Sequence, residues 1–203
     1  MSTEKFDEKI KIMTLGNSDV GKTSFLIRFT KNKYNDSKFT TLGIDLVTKL
    51  IMFNNKKYQI GFYDTAGQER YKSISLNTVK NADGIILMYD ITNQISYDSI
   101  SEWMEKISEN LESDIPIMLI GNKCDLDNKR IISKEEGEEL SDKYKLSFFE
   151  TSNKTGENVE ESVFDLVNKI IKTKKNDTIV KEKNIELNKN DIKEKEKCIF
   201  RKC

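Results

Sequence analysis

Residues Gly16–Thr23 read Gly-Asn-Ser-Asp-Val-Gly-Lys-Thr, the spacing of a Walker A phosphate loop. A phosphate chain is a dense cluster of negative charge, and a loop can wrap it only if its main chain comes close. Gly16 and Gly21 supply the freedom for that approach, and successive N–H groups supply the donors. In such a loop Lys22 reaches the β- and γ-phosphates and the Thr23 hydroxyl ligates Mg²⁺. Ser18, Asp19 and Val20 between the glycines, and Ser24 after Thr23, complete the stretch expected to line the nucleotide. The flanks agree. Ile10–Leu15 has the pattern of a buried strand entering the loop, and Thr23–Phe29 that of a helix leaving it. That helix N-terminus adds a positive dipole end facing the phosphates.

Two later segments select the base. Asn122-Lys123-Cys124-Asp125 follows the apolar strand Ile117–Gly121. A carboxylate there can accept from both N1–H and the exocyclic amine of guanine, whereas adenine offers no such donor pair and leaves Asp125 unpaired. Asn122 braces the loop, and the aliphatic stem of Lys123 lies over the purine. Thr151-Ser152-Asn153-Lys154, after the short strand Phe148–Glu150, supplies backbone N–H groups for the guanine carbonyl oxygen. Each string alone is a common turn; at these distances behind a phosphate loop they specify GTP and GDP.

The reacting end lies between. Asp64-Thr65-Ala66-Gly67-Gln68 follows the strand Tyr58–Tyr63. Asp64 is expected to hold a water on Mg²⁺, the Gly67 N–H to bond the γ-phosphate, and Gln68 to orient the attacking water. Phosphoryl transfer needs mainly positioning and charge stabilisation, which such groups provide. Upstream, Thr41 is a candidate second Mg²⁺ ligand. Loops held by Thr41 and Gly67 would relax once the γ-phosphate leaves, giving an order–disorder switch.

Strand and helix patterns alternate along the chain, which implies an α/β fold with a mostly parallel six-stranded sheet flanked by helices and ligand loops at the strand C-termini. Leu46–Phe53 and Tyr58–Tyr63 read as strands of a hairpin turning at Asn54-Asn55. Gly84–Tyr89 is continuously apolar, as a central strand covered on both faces should be. Ser96–Glu109 reads as a helix whose Ile100, Trp103, Met104 and Ile107 are core. Ser133-Lys134-Glu135-Glu136 starts another with a capping box, and Asn158–Lys172 forms the last.

The chain resembles the Rab type of the Ras-superfamily small GTPases over residues 8–173. The features that carry the likeness are Leu42-Gly43-Ile44-Asp45, Gly67-Gln68-Glu69-Arg70-Tyr71-Lys72-Ser73-Ile74, Leu87-Met88-Tyr89-Asp90-Ile91-Thr92, and Glu150 through Val159. Ser2 in place of Gly excludes N-myristoylation, and no long insert follows Asp125. The resemblance implies a P-loop G domain at 8–173, an N-terminal extension at 1–7 and a disordered hypervariable tail at 174–203. It implies a monomeric GTP-hydrolysing switch on the cytoplasmic face of intracellular membranes, cycling with the cytosol and acting in vesicle traffic. Its partners would be an exchange factor, a GTPase-activating protein, a GDP-dissociation inhibitor or prenylation escort, and effectors. No arginine stands in the first switch segment as a finger in cis, so turnover should be slow without the activating protein. Tyr34 stands where the family keeps an aromatic edge against the purine, although a surface tyrosine fits the residue equally. A binding module with vestigial hydrolysis, or a soluble switch without a lipid, are the competing readings.

Several positions depart from the family. Asp19 replaces a small residue and should repel the β-phosphate, which implies faster nucleotide release. The aromatic trio used for partner recognition reads Leu46, Tyr63 and Thr78. Asn153 replaces a common alanine, but the contact required there is a backbone amide. In the tail, Lys193–Cys203 sets Cys198 and Cys203 in a mainly basic stretch. The resemblance makes Cys203 the first candidate for prenylation and Cys198 the second, although the ending fits no simple prenylation motif. A lipid plus basic residues gives stable anchoring.

Composition is consistent with this. In 203 residues, 34 basic side chains balance 34 acidic ones, so the strongly basic face of a nucleic-acid binder is missing. No apolar run approaches a membrane span. Three cysteines without a paired framework fit a reducing cytosol; without histidine, and with Cys124 a small packed residue, no zinc site is expected.

Overall fold

The computed structural model describes residues 5–34, 44–65, 79–111 and 114–176. Thr41, Gly67, Gln68, Thr78, Cys198 and Cys203 lie outside the described residues. Strands β1 (Glu8–Gly16), β2 (Ile44–Phe53), β3 (Lys56–Thr65), β4 (Gly84–Asp90), β5 (Ile117–Asn122) and β6 (Ser147–Thr151) form one six-stranded sheet. Its order is β2-β3-β1-β4-β5-β6, parallel throughout except for the β2–β3 hairpin. Helices α1 (Lys22–Lys31), α2 (Gln94–Asn110), α3 (Lys134–Tyr144) and α4 (159–176) cover it.

Two apolar layers sandwich the sheet, and strand alternation divides the side chains between them. Ile10, Ile12, Phe62, Ile86, Met88 and Ile120 face α1 and α4 through Phe25, Leu26, Phe29, Val163 and Val167. Met13, Leu15, Ile85, Leu87 and Leu119 face α2 through Ile100, Trp103 and Ile107. Every residue of β4 is buried, so its unbroken apolar run serves both layers. Phe29 meets the Phe62 ring edge-on at 5.4 Å, a geometry that adds to simple area burial.

Local signals explain the boundaries. Asn54 and Asn55 take left-handed φ of 49° and 60°, the two-residue turn whose twist matches that of the strands it joins. Ser133 caps α3 by accepting from Glu136 N at 3.1 Å while the Glu136 carboxylate accepts from Ser133 N at 2.8 Å. Several elements run longer than the sequence pattern indicates. The hairpin strands reach Ile44 and Thr65 because each pairs with the other over its whole length. Helix α4 continues to residue 176, past the last core contact at Ile171, since nothing in Lys172–Asn176 breaks a helix.

Candidate functional site

Strands β1, β5 and β6 end on one edge of the sheet, and the loops leaving them converge there. β1 closes at Gly16, whose φ of 135° brings its backbone against β4; a Cβ there would lie 2.2 Å from Met88 O. Asp19 holds a left-handed φ of 62° with its side chain exposed, between exposed Ser18 and buried Val20. Gly21, at φ 100°, caps α1, and a Cβ there would strike the amides of Asn122 and Asn153 at 2.4 and 2.7 Å. Ser24 lies half-buried in the first turn of α1.

Lys22 is buried across the mouth of the loop. Its Nζ donates to Gly16 O at 2.9 Å and Asn17 O at 2.7 Å. Burial pushes its ammonium down to about 8, a fall that the carboxylates of Asp64 and Asp19 partly oppose. Among the described residues this buried cation is hydrogen-bonded to carbonyls alone, and a phosphate supplies the anion it is short of.

Beside it, the Thr23 hydroxyl donates to Asp64 Oδ2 at 2.6 Å. Thr14 donates to Tyr63 O at 3.1 Å, tying β1 to the end of β3 that carries Asp64. A buried carboxylate against a hydroxyl is a hard-oxygen pair that fits Mg²⁺, which takes few protein ligands and completes its shell with water and phosphate. Among the described residues no cluster of three acidic, cysteine or histidine side chains offers an all-protein metal cage.

The segments expected to select the base interlock with the loop between β1 and α1. Fully buried Asn122 donates to Val20 O at 2.7 Å and accepts from the Thr151 hydroxyl at 3.2 Å. Lys123, at φ 69°, sends Nζ to Asp90 Oδ2 at 2.5 Å, which fixes the course of its stem. Asp125 Oδ1 accepts from Ser152 Oγ at 2.6 Å, leaving Oδ2 for a donor from outside the loop. The 152–156 turn closes through Gly156 N to Ser152 O at 2.8 Å. Tyr34, partly exposed, has the Arg28 guanidinium carbon 5.9 Å from its ring centroid. Leu46 and Tyr63, the described pair of the altered recognition trio, are direct partners across the β2–β3 ladder.

Sequence reasoning gave no site role to Arg28, Asp90 or Trp103, and none to the side chain of Asn153. Arg28 donates to the carbonyls of Asn153 and Lys154; Asp90 anchors Lys123. Asn153 uses its side chain as well, donating to Gly21 O at 2.9 Å. Trp103 is core, as expected, but its indole N–H also donates to Asn17 Oδ1 at 3.0 Å, while Asn17 Nδ2 donates to Ser99 Oγ at 2.9 Å. Only Asp90 carried a readable signal, a carboxylate at the C-terminal end of a central strand.

A sheet of this order with these loops on one edge is the G domain of a small GTPase. A family model described as the Ras family matches residues 11–172, and the chain belongs to that family, in its Rab branch. Ras-related protein Rab-8B of Homo sapiens is 43% identical over 166 residues, covering 82% of this chain and 80% of the relative. Ras-related protein Rab-10 of Caenorhabditis elegans is 39% identical over 171 residues, 84% of this chain and 85% of the relative. Ras-related protein Rab-8A of Rattus norvegicus is 41% identical over 165 residues, 81% and 80%. The chain is therefore a GTPase.

Proposed function

We propose that this GTPase is a Mg²⁺-dependent switch of vesicle traffic, held on intracellular membranes by a lipidated tail. The observation that carries the nucleotide roles is the convergence of buried Lys22, the Thr23–Asp64 pair and the Asn122–Asp125–Ser152 network on one sheet edge. In this reading Lys22 compensates β- and γ-phosphate charge, and the loop N–H groups from Ser18 to Ser24 cradle the phosphates. Thr23 and Thr41, with Asp64 through water, would hold Mg²⁺, which shields the charge that develops on the phosphates. Asp125 reads the guanine N1–H and amine, Ser152 to Lys154 offer amides to its carbonyl, and the Lys123 stem and Tyr34 edge flank the ring. Gly67 and Gln68 sense the γ-phosphate and orient water.

Asp125→Asn tests the base assignment. An amide presents a donor where the carboxylate accepted, so preference should move from GDP to the xanthine nucleotide, whose position-2 oxygen accepts. Unchanged GDP preference in that variant refutes the assignment. Gln68→Leu should slow hydrolysis with GTP still bound; normal turnover removes Gln68 from its role.

Exposed Asp19 sits close enough to influence Lys22, and it holds a φ that suits glycine. Asp19→Gly should therefore slow GDP release, and an unchanged rate ends that idea. Cys203, with Cys198 second, is proposed to carry the prenyl group. Intact mass of protein taken from membrane and soluble fractions checks it, and unmodified cysteines in both would remove the anchor. Exchange factor, activating protein, escort and effectors are the partners such a cycle requires.

A further inference from the structure

The loop proposed to read guanine is fastened to the phosphate loop and to the helix α1 that continues it by two side chains outside the recognised motif contacts. Arg28, half-buried in the last turns of α1, spreads its guanidinium under the loop. Nε donates to Asn153 O at 2.7 Å and Nη2 to Lys154 O at 2.5 Å. Nη1 reaches Asn32 Oδ1 at 3.4 Å, and the same group lies against the Tyr34 ring. From the loop's side, Asn153 Nδ2 donates to Gly21 O at 2.9 Å, the carbonyl that also accepts the first helical bond of α1 from Phe25 N at 2.8 Å.

These bonds do two physical things. In a trans peptide the C=O and the following N–H point in opposite directions. Arg28 therefore turns the Lys154 and Thr155 amides away from α1 by gripping the two carbonyls before them. The bonds also join segments 125 to 132 residues apart in sequence. A nucleotide spans those segments, with base on one loop and phosphates on the other. If the loops open independently, the base end can peel away while the phosphates remain held. If they are tied, both must yield together, and release is slower.

We propose that Arg28 and Asn153 are positioning residues that tie the base-reading loop to the phosphate loop and set the residence time of bound nucleotide; this rests on the base-reading roles given above. Asn153 adds a mark that separates the idea from ordinary stabilisation. Its Oδ1 is buried with no partner among the described residues. Truncation to Ala thus removes the tie to Gly21 and an unpaired acceptor together, and the two effects on fold stability oppose each other. The effect on release is not offset in this way.

The test loads the full chain with a fluorescent GDP analogue in Mg²⁺ buffer and follows its release into excess GDP. Arg28→Gln should release about tenfold faster, the scale for losing hydrogen bonds from a charged donor. Its single-turnover hydrolysis of preloaded GTP should stay within about twofold of the parent. Arg28→Lys should fall between, because one ammonium cannot reproduce the two-carbonyl fork. Asn153→Ala should release about threefold or more faster with an unchanged or raised thermal midpoint. Release within twofold of the parent in both Arg28→Gln and Asn153→Ala overturns the proposal. So does acceleration that only tracks a falling midpoint. Asp125→Asn is run alongside: if it moves preference to the xanthine nucleotide while these variants do nothing, the tie alone fails. If it keeps GDP, the base reading fails and the proposal falls with it.

Discussion

Replacing Tyr89 by Phe should make this protein more stable, although it removes a polar group from a tightly packed place. Tyr89 is fully buried in β4, its ring edge-on to Tyr97 at 5.2 Å. Its hydroxyl has no hydrogen-bond partner among the described residues. Burial, with Glu150 and Tyr97 nearby, holds its pKa well above the ordinary tyrosine value, so the group is a neutral hydroxyl at any working pH. Two glycines make room for it: a Cβ on Gly121 would lie 2.7 Å from the oxygen and one on Gly137 2.6 Å. An unsatisfied buried hydroxyl costs about 1–3 kcal/mol. Deleting one oxygen leaves a void smaller than a methyl group, which returns at most about 1 kcal/mol of that. The net gain is about 1 kcal/mol, which for a domain of this size raises Tm by about 2–4 °C. Thermal unfolding of the GDP-loaded protein measures it. A fall in Tm of that size would falsify the reasoning, since it requires an acceptor or a water on the hydroxyl that outweighs its burial.

Asn122→Ala strips partners from Val20 O and the Thr151 hydroxyl at once; it should destabilise by about 2–4 kcal/mol in urea unfolding and weaken GDP in a binding titration. The Cys124 thiol is pushed up to about 12 by burial and by Glu157 and Glu150. At pH 7.5 its alkylation in the folded, nucleotide-loaded protein should be on the order of a thousandfold slower than in urea, as mass spectrometry of the Cys124 peptide would show; comparable rates would contradict the burial. Lys22, at about 8 folded against the ordinary lysine value of 10.5, is charged in both states below pH 8, where the cost of burying it is felt in full. Between those values the folded protein sheds the proton first, so the nucleotide-free protein should gain stability as pH rises through that window. A flat or falling midpoint across that range argues against a desolvated ammonium.

The parts of the site written as contiguous strings were legible, and the parts assembled across the chain were not. Gly16 to Thr23 can be read because each residue answers a local demand: a close approach at Gly16, a left-handed cap at Gly21, a cation at Lys22. The alternation along β1 marks a buried strand, and the unbroken apolar run of β4 one covered on both faces, for the same reason. Arg28 could not. On the page it is one charged residue in a helix with lysines and threonines around it, and nothing nearby asks for its five donors. Its partners lie 125 and 126 residues away and become visible only when α1 is packed beside the loop after β6.

Trp103 and Asn153 show the same limit from the other side. The period of α2 correctly puts Trp103 in the core, but burial of the ring says nothing about the indole N–H, which must still find an acceptor. That acceptor is Asn17, inside the phosphate loop, so one side chain both fills the layer under β1 and β4 and pins the loop above it. For Asn153, the position is readable, but the contact expected there is main-chain and gives the side-chain amide no role. A buried amide cannot be irrelevant, since each of its polar atoms is either paired or costly. Here one atom is paired to Gly21 and the other has no partner among the described residues. That asymmetry is why the tie can be cut at Asn153 without a matching loss of fold stability, and why residence time rather than Tm is the quantity that reports it.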